Sequence, residues 1–333
     1  MPWSTSSDPL CLSDRPVPGS WQQLLQHLDD GNIPTCCHPT DSRSWCRRPA
    51  LGARSADVIH PIEGKGCAVG RCLGYMERFE FKSEGCVLPK WDARAFCEAL
   101  GSRRILFIGD STMQQHAASV AHAVRWGSAQ GFTQGDGASC AARLLAGVSD
   151  TLLGRPRFGA NNRGHAWDAI VRASGLQTAG PHADIIVLAA GAHIYGEANF
   201  SFVLEQVASA RERLLPHVHL IWQTGPSAGC GPKPLAAAPN ASFWAAYNNG
   251  SGAARPVFNW PTLAGRDETA RAFWRAHGAA RTSVFDLSPL HRRVDAHPDG
   301  ATLDCLHTCE AVLVRVVPRL LLHHLQTTPS LRL

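Results

Sequence analysis

Residues 104–111 read Arg-Ile-Leu-Phe-Ile-Gly-Asp-Ser, an unbroken apolar run closed by glycine and two residues that favour helix starts. A strand with one wet face alternates apolar and polar side chains, so a continuous run of this length belongs to a strand covered on both faces. Three more runs share this character, at 185–190, 219–224 and 283–287. Helical spacing of apolar residues occupies 92–100, 112–125, 202–214, 266–277 and 309–325, between or after these runs. Buried strands alternating with helices make a parallel sheet covered on both faces, because parallel neighbours need a crossover connection.

The alternation begins near residue 90 of 333. The expected organisation is an irregular arm over 1–60, rich in Pro, Ser, Asp and Arg, then a catalytic body over 61–333. Within that body, 225–265 is a long Gly-, Pro- and Asn-rich loop, and such loops in a compact domain usually serve a site. Trp244, Trp260 and Trp274 lie in or beside it; their faces suit sugar rings, with core packing as the alternative for each. The formal charge of +5 comes from arginines scattered singly or in pairs, so no nucleic-acid partner is expected.

The chain has twelve cysteines, and Cys36, Cys37, Cys46, Cys67, Cys72, Cys86 and Cys97 crowd the part before the regular alternation. That density suits disulfides in a secretory lumen, and the sequons at Asn199, Asn240 and Asn249 point the same way. The opening MPWSTSSDPLCLSD lacks the apolar core of a signal peptide. The secretory reading therefore requires a true start upstream of the written one; otherwise the protein is cytosolic with free thiols. No stretch reaches the roughly 18 apolar residues of a membrane span, so no anchor is expected within this chain. Cys36, Cys37, His38 and Cys46 lack any standard paired zinc spacing, and neither a metal nor a bound cofactor is expected.

In an open parallel sheet, ligands sit outside the carboxyl ends of the strands, where Gly109-Asp110-Ser111 falls. A serine at the start of a helix has unpaired backbone N–H groups and a positive dipole end beside it, which suits a nucleophile that generates an oxyanion. The plainer alternative is that Asp110 or Ser111 only caps the helix. Gly225-Pro226-Ser227-Ala228-Gly229 also matches a nucleophile elbow, but Cys230-Gly231-Pro232-Lys233-Pro234 cannot begin the helix that an elbow requires. A hydroxyl nucleophile needs a base, and the base needs a carboxylate to fix its tautomer; Asp304-Cys305-Leu306-His307 offers both on one turn. Here the alternative is a capping Asp304 and a surface His307. His116, one turn along from Ser111, is expected at the surface.

A strand–Gly-Asp-Ser–helix unit early in the pattern and an Asp-x-x-His late in it resembles the SGNH hydrolase superfamily. The resemblance implies a three-layer α/β/α sandwich with a central parallel sheet, in which Ser111, Asp304 and His307 meet. The blocks Cys86-Val-Leu-Pro-Lys-Trp-Asp92, Arg104 to Ser111, Asp295-Ala-His-Pro298 and Asp304-Cys-Leu-His307-Thr-Cys309 look like the trichome-birefringence-like group of the PC-esterase family. The resemblance covers about residues 70–325. That group usually follows its Gly-Asp-Ser with Arg-Asn, whereas this chain has Thr112-Met113-Gln114-Gln115-His116.

What the resemblance implies is an O-acetyltransferase that moves an acetyl group onto a polysaccharide hydroxyl through an acyl-serine, in the Golgi lumen. The alternatives are a carbohydrate acetylesterase or a sugar-binding relative without activity. No cofactor is bound in this scheme, although a transferase requires an acetyl donor. Gly191-Ala192-His193 takes the place of the family's oxyanion block, with Gly191 and His193 as donors and Gly159 or Gly164 as a second source. Asp295 and His297 organise the loop that carries Asp304 and His307.

Overall fold

The structure, a computed structural model, describes residues 9–11, 17–23, 60–61, 79–127, 133–153, 166–173, 183–214, 216–225, 234–237, 240, 242, 262–277, 280–296, 306–308 and 310–332. In chain order the elements are β1 (Gly19–Gln23), β2 (His60–Pro61), β3 (Phe79–Ser83), α1 (Ala93–Leu100), β4 (Ile105–Gly109), α2 (Ser111–Trp126), α3 (Gln134–Ala141) and β5 (Leu144–Val148). They continue with α4 (Trp167–Ala173), β6 (Ile185–Leu188), α5 (Glu197–Leu214), β7 (His219–Gln223), α6 (Leu263–His277), β8 (Thr282–Phe285), a 3-10 turn at Ser288–Arg292 and α7 (Glu310–Thr327).

The central sheet runs β2–β5–β4–β6–β7–β8. Its last five strands are parallel, and the short β2 pairs antiparallel at the edge. β4, β6 and β7 are buried at every position, on both faces. Ile105 and Phe107 of β4 pack with Val120, Val124, Leu313 and Leu320 on one side, whereas Leu106 and Ile108 pack with Ile170, Val203, Leu204 and Trp222 on the other. Helices α1, α2 and α7 thus cover one face and α4, α5 and α6 the other, which makes a three-layer α/β/α sandwich. Each fully buried side chain of β4 contributes about 1.5–3 kcal/mol of transfer free energy.

All four strands expected from apolar runs are present, within two residues of their expected ends. β5, Leu-Leu-Ala-Gly-Val, was not anticipated: it is short, two of its five residues are small, and its partner β4 is what defines it. In the segment read as an irregular arm, residues 19–23 form β1 and pair antiparallel with β3 from Gly19↔Ser83 to Gln23↔Phe79. A Cys11–Cys86 disulfide fastens this ribbon, and Cys97–Cys140 ties α1 to α3. Disulfides of this kind suit an extracellular or secretory environment. No helix among the described residues is long and apolar enough to cross a membrane. The cysteine cluster weighed for zinc lies outside the described residues, as do Ser227, Trp244 and Trp260.

Candidate active site

β4 ends at Gly109, and the space there explains the glycine. A Cβ at this position would lie 2.7 Å from Met113 Cβ and 2.8 Å from the Ala189 carbonyl oxygen, so the nucleophile helix and the end of β6 close on a bare backbone. Asp110 is the helix cap: its Oδ1 accepts from the Thr112 N–H at 2.9 Å, the Thr112 hydroxyl at 2.6 Å and the Met113 N–H at 3.4 Å. The capping expected of such a tripeptide is therefore real, and Asp110 performs it. That leaves the hydroxyl of Ser111, the first residue of α2, available for another partner.

The partner is His307. Its Nε2 stands 2.7 Å from Ser111 Oγ, across 196 residues of chain. Both residues are half-buried. The base segment is held to the same helix one turn further on, where Gln115 Nε2 donates to the Thr308 carbonyl at 3.3 Å. A base nitrogen at this distance can take the hydroxyl proton as the oxygen attacks an electrophile, provided that the imidazole proton sits on Nδ1. Asp304, expected to hold that Nδ1, lies outside the described residues, and so do His297, Gly159 and Gly164.

Gly191 and His193 occur where expected, in the turn between β6 and α5, one strand over from Ser111. The Ile194 N–H closes this turn onto the Gly191 carbonyl at 3.2 Å. Gly191 is buried and His193 half-buried. Asp295 is fully buried and forms a two-point ion pair with Arg293, Nε to Oδ1 at 2.9 Å and Nη2 to Oδ2 at 3.1 Å. The Arg293 guanidinium also lies over Trp21 at 4.6 Å and Phe79 at 5.2 Å. Further contacts join Trp21 Nε1 to the Pro289 carbonyl at 2.8 Å and Arg292 Nη1 to the Gly19 carbonyl at 2.7 Å. The β1–β3 ribbon is thereby locked onto the stretch that leads towards His307.

His116 departs from expectation: it is buried, with 1% of its surface exposed. Its Nδ1 accepts from Gln223 Nε2 at 2.8 Å, which leaves the ring proton on Nε2. Burial pushes its pKa down to about 4; the Asp110 carboxylate opposes the shift and His307 adds to it. A neutral imidazole therefore stands behind the Ser111–His307 pair at working pH. The partner that buries it is on β7, 107 residues away, which no helical periodicity reveals.

A second buried cluster closes the rim where β7 and β8 end. Asp267 Oδ1 accepts from the Gly225 N–H at 2.7 Å, and its Oδ2 lies 2.8 Å from His291 Nε2, which also stands 3.2 Å from the Gly225 carbonyl. Burial alone would lower the His291 pKa, but Asp267 and Asp286 outweigh it and raise it. Next to it, Arg271 pairs with Asp286 and Glu268. Burial raises the Asp286 pKa against the pull of Arg271. Sequence reasoning passed over this cluster because its members come from separate elements and share no spacing.

No protein-family model matches the chain, and no curated protein matches it. Among solved structures, a protein from Lactobacillus plantarum is 17% identical with a TM-score of 0.33, over 66% of this chain and 94% of its own. A carbohydrate acetylesterase family member from Sinorhizobium meliloti is 14% identical with a TM-score of 0.32, over 66% of this chain and 95% of its own.

Proposed function

We propose that this protein is a serine esterase-type enzyme that works through an acyl-serine on Ser111. The reading is carried by the 2.7 Å contact between His307 Nε2 and Ser111 Oγ, formed at the carboxyl end of a parallel strand by residues 196 positions apart in the chain. In the first step Ser111 Oγ bonds to the ester carbonyl carbon while its proton passes to His307 Nε2. The tetrahedral oxyanion is met by backbone N–H groups at the start of α2 and in the 191–193 turn, with His193 as a side-chain donor. Collapse breaks the bond to the leaving alcohol, which takes the proton back from His307. Asp304 is proposed to orient the imidazole through Nδ1 and to steady its positive form.

The acyl-serine is then resolved by an acceptor hydroxyl, deprotonated in turn by His307, which returns that proton to Ser111 Oγ as the bond between Oγ and the acyl carbon breaks. Ser111 and His307 are both half-buried, and with water as the acceptor the same steps hydrolyse an ester, which is the first reading. The sequence blocks that resemble the trichome-birefringence-like group favour a polysaccharide hydroxyl as acceptor, which makes acetyl transfer in the Golgi the second reading. Wild-type protein is expected to release nitrophenol from 4-nitrophenyl acetate, and Ser111→Ala to lose at least about 1000-fold of that turnover. Equal turnover by both proteins removes Ser111 from the mechanism. Incubation of the wild type with an acetyl donor and oligosaccharides separates the readings: added acetyl mass on the sugar means transfer, and free acetate alone means hydrolysis.

A further inference from the structure

Arg266, in the first turns of α6, is one of the most deeply buried side chains in the protein, with 2% of its surface exposed. Its Nη1 donates to two carbonyls of one turn, Gly191 at 2.7 Å and Ile194 at 2.6 Å. Its Nε donates to Glu197 Oε1 at 3.0 Å, and its guanidinium lies 5.4 Å from the centre of the Phe200 ring. Among the described residues its formal counter-charge in contact is Glu197, on a side chain that is 59% exposed. A sealed guanidinium with so open a partner is costly to bury, and apolar packing suffices to hold a helix against a turn. What apolar packing does not do is hold two carbonyl oxygens at fixed points.

In a trans peptide the carbonyl and the following N–H point opposite ways. Holding the Gly191 and Ile194 carbonyls therefore sets the directions of the Ala192 and Tyr195 N–H groups and the position from which His193 projects. We infer that Arg266 is a positioning residue for the oxyanion turn, fixing the 191–194 backbone against the end of β6 so that the donors of this turn and the His193 side chain meet the developing charge on the substrate oxygen. The inference rests on the serine mechanism proposed above. The next residue, Asp267, fastens the end of β7 through Gly225, so one turn of α6 holds two adjacent strand ends of the rim.

The test compares Arg266→Met, Arg266→Lys, Arg266→Gln and Glu197→Gln in the full chain. A phosphonylating nitrophenyl ester counts competent Ser111 sites, 4-nitrophenyl acetate gives kcat and KM per counted site, and methylboronic acid probes affinity for a tetrahedral adduct. Arg266→Met is expected to lose roughly 10- to 100-fold in kcat per site, with KM within about 2-fold, because an oxyanion donor misplaced by about 1 Å fails only in the transition state. Boronate affinity is expected to fall in parallel with kcat/KM. Lysine, which can reach both carbonyls, is expected within about 5-fold of wild type, glutamine in between, and Glu197→Gln within about 2-fold.

Should the methionine variant fail to fold, the lysine and glutamine variants carry the same comparison. Turnover per counted site within 2-fold of wild type in the methionine or glutamine variant overturns the inference, as does a loss explained wholly by fewer competent sites. Wild-type protein that neither turns over nor reacts with the phosphonate sinks the serine mechanism, and this inference with it. An active wild type beside an unaffected Arg266 variant sinks the inference alone.

Discussion

Replacing Gly109 with alanine puts one methyl group into the tightest approach around the nucleophile. The added Cβ would lie 2.7 Å from Met113 Cβ and 2.8 Å from the Ala189 carbonyl oxygen. Carbon atoms rest about 3.5–4.0 Å apart, so the α2 contact must open by roughly 1 Å. Neither neighbour is the far end of a flexible chain. Met113 Cβ moves only with the backbone of α2, and the Ala189 carbonyl only with the end of β6, where the Ala189 N–H is bonded to the Ile108 carbonyl at 3.2 Å. Overpacking of this sort costs about 1–3 kcal/mol. The larger effect is expected in catalysis, because Ser111 lies two residues on, and a shift of about 1 Å in a reacting atom costs roughly 100-fold in rate. Urea unfolding followed by circular dichroism measures the first quantity, and nitrophenyl acetate turnover per titrated serine the second. Adding Met113→Ala brings no recovery, because alanine keeps the offending Cβ. A Gly109→Ala protein within about 0.5 kcal/mol of wild type and within 2-fold in turnover would refute the close-approach reasoning.

The buried imidazoles predict acid sensitivity. Burial lowers the pKa of His116 and His219 to about 4 and that of His324 to about 3, so between the ordinary value near 6.5 and these values the unfolded chain binds protons that the folded chain refuses. Stability therefore falls as pH drops through that window, by up to about 1.4 kcal/mol per pH unit for each group, and His116→Asn is expected to flatten the slope of urea midpoint against pH between 6.5 and 5. His291 has the opposite sign: its raised pKa gives stability that is complete below the ordinary histidine value and lost as pH rises through the raised one, so His291→Gln removes an alkaline decline. Arg293→Met leaves the Asp295 carboxylate buried without its partner, at an expected cost of about 3–5 kcal/mol in urea unfolding, and a second change to Asp295→Leu is expected to recover much of it. Removal of the Cys97–Cys140 disulfide, whose cysteines are 43 residues apart, is expected to cost about 4 kcal/mol, read from urea unfolding of a Cys97→Ala, Cys140→Ala double variant beside the wild type, both without reductant.

The sandwich was legible because a strand buried on both faces is apolar on successive positions, a local property that 105–108, 185–190 and 220–222 display without reference to one another. The helices were legible for a similar reason, since a covering helix repeats its apolar face every three to four residues. Gly-Asp-Ser could be placed at the carboxyl end of a strand from order alone, and His307 could be named as a base from its neighbour in sequence. Whether the two groups touch was not decided by any local pattern. It depends on α7 packing over α2 so that Thr308 comes within reach of Gln115 and His307 within reach of Ser111.

The same division separates what was named from what was missed. β5 became a strand through pairing with β4, because its own side chains are too small and too few to mark it. His116 lies in the core rather than at the surface because the Gln223 amide on β7 donates to its Nδ1. Arg266 is the 75th residue after Gly191 and carries no motif, yet the two meet at 2.7 Å. One-dimensional order thus determined the layers and the chemical types at the strand ends, since those follow from periodicity and from backbone termini. Tertiary packing alone decided which distant side chains share a site, because hydrogen bonds and ion pairs act over about 3 Å and only the closed sandwich brings such residues that near.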